Sequence, residues 1–231
     1  MENAIEVKNL RKTFGEHDEV LKGISLDVPK GSITYIIGFS GTGKSVLLKH
    51  FLGIFQPTSG TLQVLGEDFS KLTKDEIINM RKKFGVLFQG AALFDDQSVI
   101  ENVMFPLNEH RRDLKKTERY KIAESRLTSV GIESKHFSKL PSEISGGMQK
   151  RVGLARAIAL DPEILIYDEP TTGLDPIITE MVDNLILETH KHREGLTSVI
   201  VSHDLSAAFR LANYIAMLDS GKVLLFGTPE E

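Results

Sequence analysis

The sequence contains no cysteine, which excludes disulfides and cysteine–zinc sites and is compatible with the cytosol. No apolar stretch approaches the ~20 residues needed to cross a bilayer. The opening segment Met1-Glu2-Asn3-Ala4-Ile5-Glu6 is acidic and lacks the basic and apolar regions of a signal peptide. Together these predict a protein that stays where it is made and reaches a membrane only through a partner. Positive charge is not in excess either. The formal net charge is −4, so nothing supports general nucleic-acid attraction. No internal repeat, low-complexity tract or long linker interrupts the chain. What remains is a globular composition, 41% apolar and 26% charged over 231 residues, long enough for one sizeable core with room for an insertion.

The most specific segment is Gly38-Phe39-Ser40-Gly41-Thr42-Gly43-Lys44-Ser45, which has the spacing of a phosphate-binding loop. The apolar run Ile33–Ile37 precedes it and the helix-like run Val46–Leu52 follows. That strand–loop–helix context is what the chemistry requires. Glycines let successive N–H groups turn toward a phosphate, and the helix presents its positive end. Lys44 would reach the β- and γ-phosphates, and the Ser45 hydroxyl would ligate Mg²⁺.

Short β-branched runs predict strands at Ile5–Leu10, Ile24–Val28, Ile33–Ile37, Thr61–Leu65 and Phe84–Phe88, with a short polar helix at Lys74–Lys82. From Ser98 to Leu160 no strand is evident. Lys115–Val130 and Gly147–Leu160 have helical patterns, and Pro141–Ser145 resembles a helix entry. The last third alternates again. Strands are expected at Ile164–Tyr167 and Thr197–Val201, and helices at Pro176–His190 and Leu205–Ala212. Tyr214–Leu218 and Val223–Phe226 form a final strand pair. On the first of these helices Ile178, Met181, Val182, Leu185 and Ile186 share a face. Such alternation predicts an α/β fold with a mostly parallel sheet, here carrying a helical insertion.

Two other segments carry possible chemistry. The run Ile164–Tyr167 ends in Asp168-Glu169. One such carboxylate can hold Mg²⁺ and the other can polarise a water. Alone, the pair reads first as a plain strand end; beside the Gly38–Ser45 loop the catalytic reading takes precedence. Ser145-Gly146-Gly147 opens a helix. By itself it reads as an N-cap at Ser145 with a permissive turn. The alternative is a second anion cradle, serving a nucleotide held by another subunit. The basic stretch from His110 to Arg126 is interrupted by Glu109, Asp113, Glu118 and Glu124, so it reads as a solvated helix face rather than a headgroup-binding patch.

Taken in order, these segments resemble the ATP-binding subunits of ABC transporters over essentially the whole chain. Gly38–Ser45 matches the Walker A loop, Gln89 the Q-loop and Ile144–Met148 the signature segment. Ile164–Glu169 matches Walker B, Gly173-Leu174-Asp175 the D-loop and His203 the switch histidine. Phe88–Asp95, Glu101–Leu107 and the Met148 that ends the signature further resemble the ATPases of MCE-associated, Mla-like lipid transporters. Phe39 departs from the proline common in that loop; its side chain is expected to point away from the phosphates. The chain stops soon after Gly227-Thr228-Pro229, short of the C-terminal extension that members of the group often carry.

The resemblance implies an ABC-type P-loop NTPase fold as a single domain. A RecA-like core with an antiparallel N-terminal β part would comprise residues 1–96 and 161–231, and a helical subdomain residues 97–160. It implies ATP and Mg²⁺ as cofactors, with Gly38, Ser40, Gly41, Thr42, Gly43, Lys44 and Ser45 cradling phosphate and Phe14 against adenine. Ser45, Gln89 and Asp168 would hold the metal. Glu169 would activate water, His203 would contact the γ-phosphate, and Ser145, Gly146, Gly147 and Asp175 would act across a homodimer. Plainer roles stand beside these: a core phenylalanine, a strand-end glutamine, a helix-capping histidine, and Asp175 as an N-cap before Pro176. Implied partners are a second copy, a membrane permease and an MCE-domain protein, with no nucleic acid, on the cytoplasmic side of the inner membrane. A polar-solute importer and a soluble ABC-type ATPase are the alternatives.

Overall fold

The structure is a computed structural model that describes residues 2–15 and 18–231. The chain divides into two units, Met1–Arg81 with His190–Glu231, and Lys82–Thr189. No helix among the described residues is long and apolar enough to cross a membrane.

In the first unit, β1 (Asn3–Phe14) pairs antiparallel with β2 (Asp18–Pro29) and β4 (Ser59–Val64), and β5 (Glu67–Asp68) adds to β4. Along β2, Ile24, Leu26 and Val28 are buried and alternate with Ser25 and Asp27 outside, the pattern of a sheet solvated on one face. Both β1 and β2 run well past the expected Ile5–Leu10 and Ile24–Val28. Their polar ends are held by backbone pairing, down to Thr13 opposite Glu19 and Phe14 opposite Asp18, and bulges break the alternation there. The second sheet of this unit has the order β10-β9-β3-β8. Its strands are β3 (Ile33–Ile37), β8 (Thr197–Ser202), β9 (Tyr214–Asp219) and β10 (Lys222–Gly227). β3 is parallel to both β8 and β9, and β10 returns antiparallel, so the sheet is mixed. Every residue of β3 and β8 is buried, as expected of strands covered on both faces. Helices α1 (Lys44–Phe51), α2 (Lys74–Arg81) and α7 (Leu205–Leu211) complete the unit.

The second unit is built on the parallel pair β6 (Phe84–Leu87) and β7 (Ile164–Asp168). Its helices are α3 (Val99–His110), α4 (Lys116–Ser129), α5 (Gly146–Ala157) and most of α6 (Pro176–Lys191). The sequence reading assigned no separate helix to α3, because Pro106 lies inside it. The available signal was Ser98-x-x-Glu101. Glu101 accepts from the Ser98 N–H at 2.9 Å and from its hydroxyl at 2.5 Å, a capping box ahead of an apolar run. Pro141–Glu143 is a separate 3₁₀ turn rather than the entry to α5. α6 buries Val182 and Ile186, and Ile178, Met181, Val182 and Leu185 line a cavity of 280 Å³ shared with the start of α5. On the basic stretch Arg111 pairs with Asp113 and Arg112 with Glu109, on the surface.

A buried histidine ties stability to pH. His50 on α1 is 0% exposed. Its Nδ1 lies 2.7 Å from the Val46 carbonyl, and among the described residues Nε2 has no partner within hydrogen-bonding geometry. Burial lowers its pKa below 6.5, opposed by the Val46 hydrogen bond and assisted by the Lys12 charge. The neutral form is therefore the one that folds. The unfolded chain takes up a proton first, so this contribution is complete above about pH 6.5 and is lost as the pH falls below it. Urea midpoints at pH 7.5 and 5.5 test this: the acid loss is expected to be larger in the parent than in His50→Leu. Equal losses would remove His50 as the cause.

Candidate active site

The loop between β3 and α1 has the form its sequence implies. Gly41 and Gly43 take φ values of 82° and 105°, a region that glycine enters without steric cost. A Cβ on Gly38 would stand 2.3 Å from the Leu218 carbonyl oxygen, and one on Gly43 would stand 2.8 Å from Leu21 Cδ2. The backbone can therefore run this close to β9 and β2 only without side chains. Thr42 is buried and donates its hydroxyl to the Phe39 carbonyl at 2.9 Å, which tightens the turn. Ser40, Gly41 and Ser45 are exposed. Phe39 is 78% exposed.

Lys44 is 7% exposed, and its Nζ donates to the carbonyls of Gly38 at 2.6 Å and Phe39 at 2.9 Å. α1 has no acidic residue in its first turn, so no side chain of that turn offsets the positive end of the helix dipole. The loop thus offers one ammonium, exposed N–H groups and a hydroxyl on a single concave turn, which suits a polyphosphate.

In the same unit, Ser202 pairs with Ile37 across β8 and β3. His203 follows at the strand end, beside the start of the phosphate loop, and is exposed. The capping role belongs to its neighbour: the Ala207 N–H donates to Asp204 Oδ1 at 3.1 Å. Phe14 is half-buried at the end of β1. Its ring packs edge-on against Phe55 at 5.3 Å, with the Lys12 ammonium 5.1 Å from its centroid.

The second unit carries the acids. Leu87 pairs with Tyr167 across β6 and β7, so Gln89 and the pair Asp168-Glu169 leave the same end of the two strands. Gln89 is exposed, and both acids are half-buried. Glu169 adopts a φ of 47°, costly for a residue with a Cβ, and its Oε2 accepts from the Thr172 hydroxyl at 2.8 Å. Ser145 caps α5 by accepting from the Met148 N–H at 3.3 Å. Gly146 and Gly147 follow, with no obstacle at the first. Asp175 caps α6 through Oδ1, which accepts from the N–H groups of Ile177 and Ile178 at 3.0 Å each.

Three residues outside the sequence motifs shape this unit. The Asn102 side chain is fully buried and bonds both the N–H and the carbonyl of Phe94, at 2.8 and 3.1 Å. Lys150 and Arg156 on α5 reach the backbone of residues 89–92. Nothing in their types marked them, because a lysine or arginine on a helix usually faces water.

Residues 21–172 match the ABC transporter family. The chain is 42% identical over its full length to the intermembrane phospholipid transport ATP-binding protein MlaF of Haemophilus influenzae, of which it covers 86%. It is 39% identical over 98% of its length to the L-cystine import ATP-binding protein TcyN of Bacillus subtilis. A Mycobacterium leprae protein named as a probable ribonucleotide transport ATP-binding protein is 40% identical, and the chain spans 64% of that relative's length. Among solved structures, the dimeric cassette MJ0796 bound to ADP and Pi superposes with a TM-score of 0.87 at 31% identity, over 97% of this chain and 98% of that one. The cassette cbiO1 of Clostridium perfringens does so with a TM-score of 0.91 at 30% identity, over 100% and 90%. The chain belongs to the ABC transporter family, as one of its ATP-binding subunits.

Proposed function

We propose that the chain is the ATP-hydrolysing subunit of a membrane transporter that moves phospholipid or another lipid with an MCE-type partner. The observation that carries this reading is the full-length likeness to a phospholipid-transport ATPase, supported by a phosphate loop with the geometry its chemistry needs. The cystine-importer relative supports polar-solute import as the second reading. Purification with its permease, followed by lipid extraction and ATP turnover, tests the proposal. Bound phospholipid with lipid-stimulated turnover is expected. Turnover stimulated by an amino acid, with no bound lipid, would favour the importer.

The proposed chemistry assigns each group one task. Lys44 and the loop N–H groups bind the β- and γ-phosphates of ATP. Ser45, Gln89 and Asp168 offer hydroxyl, amide and carboxylate oxygens, the hard ligands Mg²⁺ prefers, and the metal would neutralise phosphate charge. Glu169 takes a proton from the attacking water. His203 donates to the γ-phosphate, stabilising charge as it shifts. Phe14 stacks on adenine. In the second unit, Phe88, Phe94, Phe105 and Pro106 line a groove of 290 Å³. Their exposed rings suit a permease helix at the cytoplasmic face of the inner membrane.

Ser145, Gly146 and Gly147 are assigned to the ATP held by a second copy, so that a homodimer has two composite sites. Gly147→Asp places a carboxylate beside a triphosphate, where like charges repel. The variant is expected to bind ATP yet fail to close. Mixed with Lys44→Ala, both lesions fall on one composite site. An equimolar mixture should recover about a quarter of parental turnover, because mixed dimers keep one whole site. An ATP-dependent crosslink between Ser145→Cys and Ser40→Cys is the companion measurement. A dead mixture together with no crosslink would overturn the shared site.

A further inference from the structure

Helix α5 bears three cations that the phosphate chemistry leaves unused; Arg151 donates to the Val130 carbonyl at 2.8 Å, and Lys150 and Arg156 reach residues 89–92. Lys150 is 6% exposed, and its ammonium donates to the Gln89 carbonyl oxygen. Arg156 donates through its two terminal nitrogens to the carbonyls of Ala92 and Ala91, each at 2.7 Å. Neither has a carboxylate partner among the described residues. Burial lowers the pKa of both. Burying a charge is costly unless it is hydrogen-bonded, and here both charges are committed to three backbone carbonyls of one short segment.

That segment is strained and closely packed. Ala91 and Ala92 have φ values of 60° and 48°, a conformation that residues with a Cβ avoid and that persists only where the surroundings impose it. Gly153, between Lys150 and Arg156, lets the helix approach: a Cβ there would meet Leu87 Cδ1 at 2.9 Å and Ala91 Cβ at 3.2 Å. Gly85 does the same from β6, where a Cβ would stand 2.3 Å from the Ala157 carbonyl oxygen. By contrast, Gly90 has open space around it. The turn at Gln89-Gly90 is closed by the Ala91 N–H donating to the Phe88 carbonyl at 2.9 Å, and the Lys150 bond to the Gln89 carbonyl is a second hold on the same peptide.

We propose that Lys150, Gly153 and Arg156 make α5 a clamp on residues 89–92. Gln89 and the Ser145–Gly147 segment at the start of the same helix are then held as one rigid piece, with Lys150 and Arg156 as positioning residues for ATP hydrolysis. The proposal rests on the ATPase reading above. Arg156 also lines the aromatic groove, with its guanidinium 5.8 Å from the centre of the Phe94 ring. A helix seated in that groove presses on the carbonyls that Arg156 holds, and the clamp carries the displacement to Gln89 and the signature segment together.

Two measurements on the full chain test this. The first is hydrogen exchange at the amides of Gly90–Leu93, which needs no ATPase activity. Lys150→Met removes the donor at nearly constant volume and is expected to raise exchange there while the strands keep parental protection. Lys150→Gln, which retains an amide NH₂ as donor, is expected to restore it. The second is turnover. Lys150→Met is expected to lower kcat by roughly tenfold to a hundredfold with KM for ATP within about twofold, the signature of a misplaced group rather than lost binding. Lys150→Gln should recover most of the rate. In a Gln89→Ala background Lys150→Met should add nothing further, because both act through one group. If Lys150→Met does not fold, Arg156→Lys carries the same readouts, since the single nitrogen of an ammonium does not reproduce the two-nitrogen fork that holds the Ala91 and Ala92 carbonyls. Parental exchange at Gly90–Leu93 in these variants would overturn the clamp. Additive losses with Gln89→Ala would overturn the positioning role. A parent chain with no ATPase activity, alone or with its permease, would refute the ATPase reading, and the exchange result would still decide the clamp.

Discussion

Lys44→Ala is expected to abolish ATP binding and turnover and to leave the fold in place. The two effects separate because the ammonium serves the loop and the ligand to different degrees. Toward the loop it donates to the Gly38 and Phe39 carbonyls. These belong to a turn whose tip is exposed, so water can replace the lost donor at a cost of about 1 kcal/mol. Toward ATP, in the proposed site, it would supply a full positive charge against the β- and γ-phosphates from a buried position. Removing one partner of such a pair costs about 2–5 kcal/mol, a loss of affinity of roughly thirtyfold to a few thousandfold. Calorimetric titration with MgATP and a thermal melt read the two effects separately. Parental ATP affinity with a normal melt would remove Lys44 from the site.

Glu169→Gln is expected to spare ATP binding and to slow hydrolysis by about 10²–10⁴-fold, the range a positioned general base contributes. The amide keeps the shape of the side chain and one oxygen able to accept from the Thr172 hydroxyl, now at 2.8 Å from the carboxylate. The turn at residue 169, with its φ of 47°, is therefore retained. What is lost is the negative charge that takes the proton from water. The ATP-bound dimer should persist and be visible by light scattering, because closure precedes hydrolysis in the proposed cycle. Hydrolysis at the parental rate would exclude Glu169 as the base.

Several elements were legible because local chemistry and tertiary role coincide. β3 reads as Ile33–Ile37 in the sequence and in the structure, since an unbroken apolar run has no other use in a chain of this composition. The Gly38–Ser45 loop was legible for a related reason. Its glycines take backbone angles and approaches that side chains forbid, and such constraints leave a signature in residue type. Asp175 showed itself as an N-cap from its place before Pro176.

Other features were legible only in part. The polar ends of β1 and β2 pair through backbone groups, and any side chain can accompany that bonding. α3 was hidden by Pro106, although Ser98 and Glu101 announced its start. Met181 carries the helical period of a buried residue but opens onto the cavity beside Ser145, because periodicity gives a face and not what covers it.

By itself, then, the sequence determined the phosphate-loop motif, the order of most strands and helices, and the residue types proposed to hold a nucleotide and a metal. Each is dictated by chemistry within a few consecutive residues. Tertiary structure alone decided that Lys150 and Arg156 are committed to the backbone of residues 89–92. It also decided that Asn102 pins Phe94 and that Ser202 lies opposite Ile37. These depend on which distant segments meet. A cation on a helix has the same sequence signature whether it faces water or the carbonyls of a strained turn more than fifty residues away.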